Sequence, residues 1–133
     1  MRKLMRIAPW GFLVLPIAVA GLAAIPHALA PATGGLWEVS KRADGHEASQ
    51  MCIATPEVLA QFEHRQGRCT RVVISDRGSE AVIHYTCADG GFGRSQVSLL
   101  TPRSLRIDTQ GISGGYPFHY QLYARRVGEC SIR

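Results

Sequence analysis

Apolar and polar residues alternate along most of the chain after residue 34, with the period of two that is typical of half-buried strands. Turn residues such as Asp-Gly and Gly-Gly separate the alternating runs. The connections are short, which favours antiparallel pairing of successive strands. The pattern predicts a mainly β fold, an antiparallel meander of about seven strands that forms a curved sheet or partial barrel. Its strands are expected at residues 35–40, 47–53, 69–75, 80–87, 94–100, 105–109 and 117–126.

One short helix is expected at about residues 55–66. The Thr-Pro-Glu sequence at 55–57 supplies an N-cap, a proline at the first helical position and an acidic residue at the positive end of the helix dipole. Apolar residues at positions 58, 59 and 62 form one stripe, and Gly67 is a typical C-terminal signal. The stripe predicts that this helix packs on the sheet.

The first thirty residues have the pattern of an export signal. Residues 1–6 hold three basic residues and no acid, residues 7–25 are uncharged, and residues 28–30 read Ala-Leu-Ala. A basic segment, an apolar segment and a small-residue cleavage site are the parts of a secretory signal peptide. The sequence predicts cleavage after Ala30, a periplasmic or secreted location, and a single domain at residues 31–133.

An uncleaved membrane anchor is the alternative interpretation of this segment. Its 19 uncharged residues approach the ~20 that span a bilayer. Pro9 and Pro16 interrupt the run, however, and the small-residue signature follows it directly. Contact with a membrane is expected only if the segment stays uncleaved.

The net charge of +5 changes meaning once the signal is removed. Three basic residues leave with it, so 12 basic residues face 10 acidic ones over residues 31–133. A nucleic-acid partner is therefore not expected, because such proteins present a strong positive surface. The remaining 103 residues make a small domain that needs reinforcement.

Four cysteines, all within residues 31–133, offer that reinforcement. An even number in a small exported domain favours two disulfides. The Cys-x2-Cys spacing of metal and redox sites is absent. Three connectivities are possible. They join Cys52, Cys69, Cys87 and Cys130.

A predicted hairpin narrows the choice of connectivity. If residues 77 and 78 form its loop, Val72 and Ile74 lie on the apolar face. In that register Cys69 and Cys87 point to opposite faces, which disfavours a bond between them.

The preferred pairing is therefore Cys52–Cys69 with Cys87–Cys130. The first bond closes a loop over the helix, and the second ties a core strand to the C-terminus. The pairing of Cys52 with Cys87 and of Cys69 with Cys130 stays open as the alternative.

Several motifs occur in an order that resembles a known family. They are Gly-Leu-Trp-Glu at 35–38, Cys52 followed by Thr-Pro-Glu at 55–57, Cys69, Cys87 before a glycine-rich turn, and Gly-Glu-Cys at 128–130. This layout, over residues 34–130, resembles a family of small exported proteobacterial proteins known only as a domain of unknown function. The resemblance implies an exported β-rich domain and supplies no catalytic residues.

Histidines are the candidates for chemistry. No His-x-His pair or helical His pair marks a metal site, so no metal or cofactor is expected. His84 could join Glu80 and Ser75 on one face of the hairpin, but the Gly-x-Ser-x-Gly motif of a serine nucleophile is absent. A small hydrolase or metal-dependent enzyme that uses His84 or His119 is kept as the alternative function.

The preferred function is a non-catalytic one. A sheet curved around a helix can hold an apolar ligand, and aromatic residues line such sites. The weak candidates are Trp37, Tyr116, Tyr120 and Tyr123, although aromatic residues in strands more often form the core. We expect an exported β domain that binds an envelope protein, a polymer or an apolar ligand.

Overall fold

Seven strands form one antiparallel sheet in the computed structural model, which describes Gly11, residues 13–16 and residues 25–131. Most of the predicted export signal lies outside the described residues. A 3₁₀ turn at His27–Leu29 precedes the sheet, and a helical segment at Pro56–His64 lies between the second and third strands. The strands are β1 (Gly35–Ser40), β2 (Ser49–Ile53), β3 (Cys69–Arg77), β4 (Glu80–Cys87), β5 (Phe92–Thr101), β6 (Ser104–Ser113) and β7 (Tyr116–Gly128).

The strand order is β2-β1-β7-β6-β5-β4-β3, so β3 to β7 form a continuous meander. The β1–β2 hairpin joins this meander through β7, and β2 and β3 are the two edges of an unclosed sheet. The predicted mainly β meander with one short helix is confirmed. Within the described residues, no helix has the length and apolar character needed to cross a membrane.

Alternation divides the sheet into an inner and an outer face. In β4, Ala81, Ile83 and Tyr85 are buried, whereas His84 and Thr86 are exposed. The inner face carries the apolar set because the helical segment and the 3₁₀ turn pack against it. The largest fully buried side chains are those of Trp37, Tyr85, Leu29, Leu59, Ile83, Leu105, Ile107 and Leu122.

The helical segment begins and ends near its predicted limits. Thr55 is extended, with φ of −145°, and Pro56 takes the first helical position. The chain leaves the segment where Gly67 donates its N–H to the carbonyl of His64 at 2.9 Å. The segment is of 3₁₀ type with a kink at Gln61, which a sequence pattern does not distinguish from a short α-helix.

The predicted register of the β3–β4 hairpin is wrong. Arg77 pairs with Glu80, so the loop is one position later than expected, and a bulge between Val73 and Ser75 shifts the register again. Val72 is consequently 55% exposed on the outer face, although it was expected in the core. A slip of one residue moves every side chain of a strand to the other face.

The disulfides follow from the observed register. Cys69 and Cys87 are direct cross-strand partners and bond to each other. Cys52 bonds to Cys130, with Cα atoms 5.7 Å apart, because β1 brings β2 and the end of β7 together. The preferred pairing of Cys52 with Cys69 and of Cys87 with Cys130 is therefore wrong, and so is the alternative. Two disulfides, the number expected, are present.

Candidate functional site

A row of two aromatic residues and two glycines crosses four strands at one end of the inner face. Tyr85, Gly93, Gly111 and Phe118 are successive cross-strand partners on β4, β5, β6 and β7. The ring of Tyr85 lies over Gly93, where a Cβ atom would come within 2.6 Å of it. Glycine is required there because the ring fills the space of a side chain.

The two aromatic rings hold the end of the helical segment. His64, which is 8% exposed, packs edge-on to Tyr85 and tilted against Phe118. Its Nδ1 lies 2.9 Å from the hydroxyl of Tyr85, and burial raises the pKa of that hydroxyl to about 12. This cluster fixes the helix to the sheet and fills the inner face at this end.

The same four strands form an open trough on the outer face. Its volume is about 600 Å³, and its floor runs along the backbone of the glycine row. Outward-facing side chains of the two adjacent rows form its sides. Lining residues come from His84–Thr86 of β4, Phe92–Arg94 of β5, Gln110–Ile112 of β6 and Pro117–His119 of β7.

One side of the trough is apolar. Phe92, Ile112 and Pro117 are successive partners in the register of β5, β6 and β7. The side chain of Phe92 follows the glycine-rich turn and is 49% exposed. An aromatic residue with half its surface in water offers a contact surface to an apolar part of a ligand.

The other side of the trough is polar and basic. His84, Arg94, Gln110 and His119 are successive partners across the four strands, and all four are exposed. Within the described residues, no acidic oxygen lies within 4.0 Å of the Arg94 guanidinium. His119 does have an acidic partner, because its Nε2 lies 2.9 Å from Oδ1 of Asp108. The middle of this side therefore carries a positive charge that is free to meet an anion.

The histidines named for an enzymatic role lie on one face but do not meet. His84 is on β4 and His119 on β7, three strand spacings apart in the sheet. Neighbouring strands are ~4.8 Å apart, so the two positions are separated by about 14 Å. The His119–Asp108 pair is open to solvent, with side chains 62% and 41% exposed.

Ser75 and Glu80, the other two residues of the possible Ser-His-acid group, do not line the trough. Ser75 is on β3 opposite Val82, and Glu80 is next to the β3–β4 loop. Within the described residues, no group of three or more His, Cys, Asp or Glu side chains is placed to hold a metal ion.

The four aromatic candidates do not form one site. Trp37 is fully buried in the core, where its indole N–H donates to the carbonyl of Thr33 at 3.2 Å. Tyr116 is 77% exposed at the start of β7, and the hydroxyl of Tyr123 donates to Gln121 on the outer face.

Tyr120, the fourth, supports the helical segment. Its hydroxyl donates to a carboxylate oxygen of Glu63 at 2.5 Å. Burial and then this hydrogen bond raise the pKa of Tyr120 well above its usual value.

Phe92, Arg94 and Gln110 were not among the residues singled out from sequence. The predicted strands at residues 94–100 and 105–109 left Phe92 and Gln110 outside them, and only the register across four strands brings all three residues beside His84 and His119. A search for basic and aromatic residues on the outward positions of successive strands would have found them.

Comparison with known proteins identifies the family. Neither a curated protein nor a solved structure matches the chain. A family model described as "Protein of unknown function (DUF3617)" matches residues 29–130, which include the whole sheet, the helical segment and all four cysteines. The resemblance drawn from the Gly-Leu-Trp-Glu motif and the cysteines is confirmed, and the chain belongs to this DUF3617 family.

Proposed function

We propose that the protein is an exported, non-catalytic binding domain of the cell envelope, and that the outer trough is its binding site. The observation that carries the proposal is the arrangement of the trough, with Phe92, Ile112 and Pro117 along one side and Arg94 between two polar neighbours on the other. A ligand that fits both sides has an apolar part and an acidic group, such as a carboxylate or a phosphate.

The inner face offers less room for a ligand. A carrier with its ligand inside the curved sheet needs an open interior, but side chains such as Trp37, Leu59 and Ile107 are fully buried there. The helical segment and the 3₁₀ turn occupy the space that the sheet encloses. This packing favours a binding site in the surface trough rather than in an enclosed pocket.

A binding role also agrees with the distribution of chemical groups. Acid–base catalysis needs groups within hydrogen-bond reach of one reacting centre. The separation of His84 from His119 and the solvent exposure of the His119–Asp108 pair do not provide such a centre. Export is supported by the N-terminal sequence pattern and by two disulfides, since disulfides persist in oxidising compartments.

Two probes with the same apolar tail test the proposal. Dodecyl phosphate carries an anionic head and dodecyl maltoside a neutral one, and calorimetric titration below their micelle concentrations gives both affinities. Arg94→Gln is expected to weaken dodecyl phosphate binding at least about tenfold, because a charge-assisted hydrogen bond contributes about 1.5–3 kcal/mol. Phe92→Ser is expected to weaken both probes.

Arg106→Gln is the matched control. Arg106 is exposed on the same face of the sheet, opposite Ser98, and does not line the trough. Equal losses with Arg94→Gln and Arg106→Gln would mean that only the overall charge attracts the anion. If neither probe binds, the proposal is contradicted. An enzymatic activity that His119→Gln abolishes would also contradict it.

A further inference from the structure

The segment just before the predicted cleavage point is packed as part of the domain. Pro26, Ala28 and Leu29 are buried, and Leu29 has no exposed surface. Ala28 and Leu29 belong to the same apolar cluster as Trp37 of β1 and Ile83 of β4. A chain that began at Pro31 would lack all of these contacts and would leave a gap at one end of the inner face.

Polar contacts hold the same segment in place. The carboxylate of Asp76, near the end of β3, accepts the backbone N–H of His27 at 2.7 Å and that of Ala28 at 2.8 Å. These are the first N–H groups of the 3₁₀ turn, which have no partner inside the turn itself. A chain cut after Ala30 would lose both donors and leave the Asp76 carboxylate without them.

Backbone bonds continue this packing into β1. Leu29 donates to the carbonyl of Pro26 at 3.0 Å, and Ala32 donates to the carbonyl of Leu29 at 3.0 Å. The carbonyl of Thr33 then accepts the indole N–H of Trp37. The residues on both sides of the predicted cleavage point therefore form one continuous folded segment.

Two observations independent of the packing point the same way. The family match begins at residue 29, before the predicted cleavage point, so the shared domain includes residues 29 and 30. The bond after Ala30 joins it to Pro31, whose nitrogen is a tertiary amide that carries no N–H. The proline ring removes a hydrogen-bond donor and restricts the backbone beside this bond, which disfavours cleavage there.

We propose that the export signal ends before Pro26 and that Pro26–Ala32 is retained as the first structural element of the mature domain. This inference rests on the export part of the proposed function and is independent of the trough. Two residues of the Ala-Leu-Ala sequence then belong to the core, since Leu29 is fully buried on the inner face and Ala28 is 3% exposed, whereas Ala30 is exposed.

Substitutions in the full chain, produced with its own N-terminal segment in a Gram-negative bacterium, test the inference. Leu29→Ala removes the buried side chain, and Ala30→Leu places a bulky residue at the position that a peptidase cutting after Ala30 must grip. Leu100→Ala is the matched control, because Leu100 is 58% exposed. Intact mass and the melting temperature are measured for each purified protein.

If the segment is retained, the mature wild-type and Leu29→Ala proteins differ in mass by the leucine-to-alanine difference. Leu29→Ala is then expected to lower the melting temperature by at least about 8 °C, with little change for Leu100→Ala. Ala30→Leu is expected to be processed like the wild type. A mature chain that starts at Pro31, or loss of processing in Ala30→Leu, would overturn the inference.

Failure of export gives a separate result. Full-length protein confined to the cytoplasm would contradict the proposed compartment, and the melting temperature of Leu29→Ala would still report on the packing. An unchanged melting temperature in that protein would overturn the inference as well.

Discussion

The two disulfides make unequal contributions to stability, and the difference can be worked out from the loops that they close. Cys52–Cys130 spans 78 residues and Cys69–Cys87 spans 18. In the chain-entropy model a disulfide stabilises by restricting the unfolded chain, by about 4.5 kcal/mol for the longer loop and about 3 kcal/mol for the shorter one. The perturbation is the replacement of each pair by two serines, which leaves no unpaired thiol from the deleted bond.

The Cys52–Cys130 bond also stabilises one edge of the sheet. Cys130 lies beyond β7 and holds β2, an edge strand of five residues that pairs only with β1 among the described strands. Cys69–Cys87, by contrast, joins β3 and β4. These two strands are already hydrogen-bonded to each other along the nine residues of β3. Both considerations predict the larger loss for the Cys52/Cys130 double variant.

Urea unfolding followed by tryptophan fluorescence measures both losses, since Trp37 is fully buried in the folded state. The free energies of unfolding should differ by about 1–1.5 kcal/mol, with the Cys52/Cys130 variant the less stable. Equal losses, or a larger loss for the Cys69/Cys87 variant, would refute the entropic reasoning. A Cys52–Cys69 peptide in a non-reducing digest would refute the connectivity itself.

Two further predictions concern packing and pH. Gly93→Ala should destabilise the protein by about 1–3 kcal/mol in thermal unfolding, because the added Cβ atom would clash with the Tyr85 ring. Gly128→Ala is the control and should change stability little, because a Cβ atom there would have no other atom within 4 Å. The N–H groups of Ala28 and His27 lower the pKa of Asp76. Its contribution to stability is therefore present above pH 4 and lost as the pH falls through that lowered pKa. The melting temperature of Asp76→Asn should therefore fall less than that of the wild type below about pH 4. Parallel declines of the two proteins would contradict this.

The strands were predictable from sequence because apolar and polar residues alternate along a half-buried strand. The predicted strand at residues 80–87 is present as β4, with Ala81, Ile83 and Tyr85 buried on the inner face. The pairing of β3 with β4 was not predictable, because it depends on a loop position and on the bulge near Ser75, neither of which changes the local alternation. That error of one residue also led to the wrong disulfide pairing.

The candidate site depends on pairing to a greater degree. His84 and His119 attracted attention as single residues, but their positions relative to each other follow from three strand pairings. Arg94 became a candidate only when those pairings placed it between them. A binding surface built from one residue per strand has no local sequence motif, so it becomes visible only with the fold.

The two faces of the sheet are linked by the glycine row, which lets the inner face close and leaves the outer face open. Gly93 and Gly111 have no side chains, so the rings of Tyr85 and Phe118 close over the inner face and hold His64. On the outer face the same residues leave bare backbone between the Phe92 row and the Arg94 row, which is the floor of the trough. The packing that fills the interior therefore also shapes the open outer surface that we propose as the binding site.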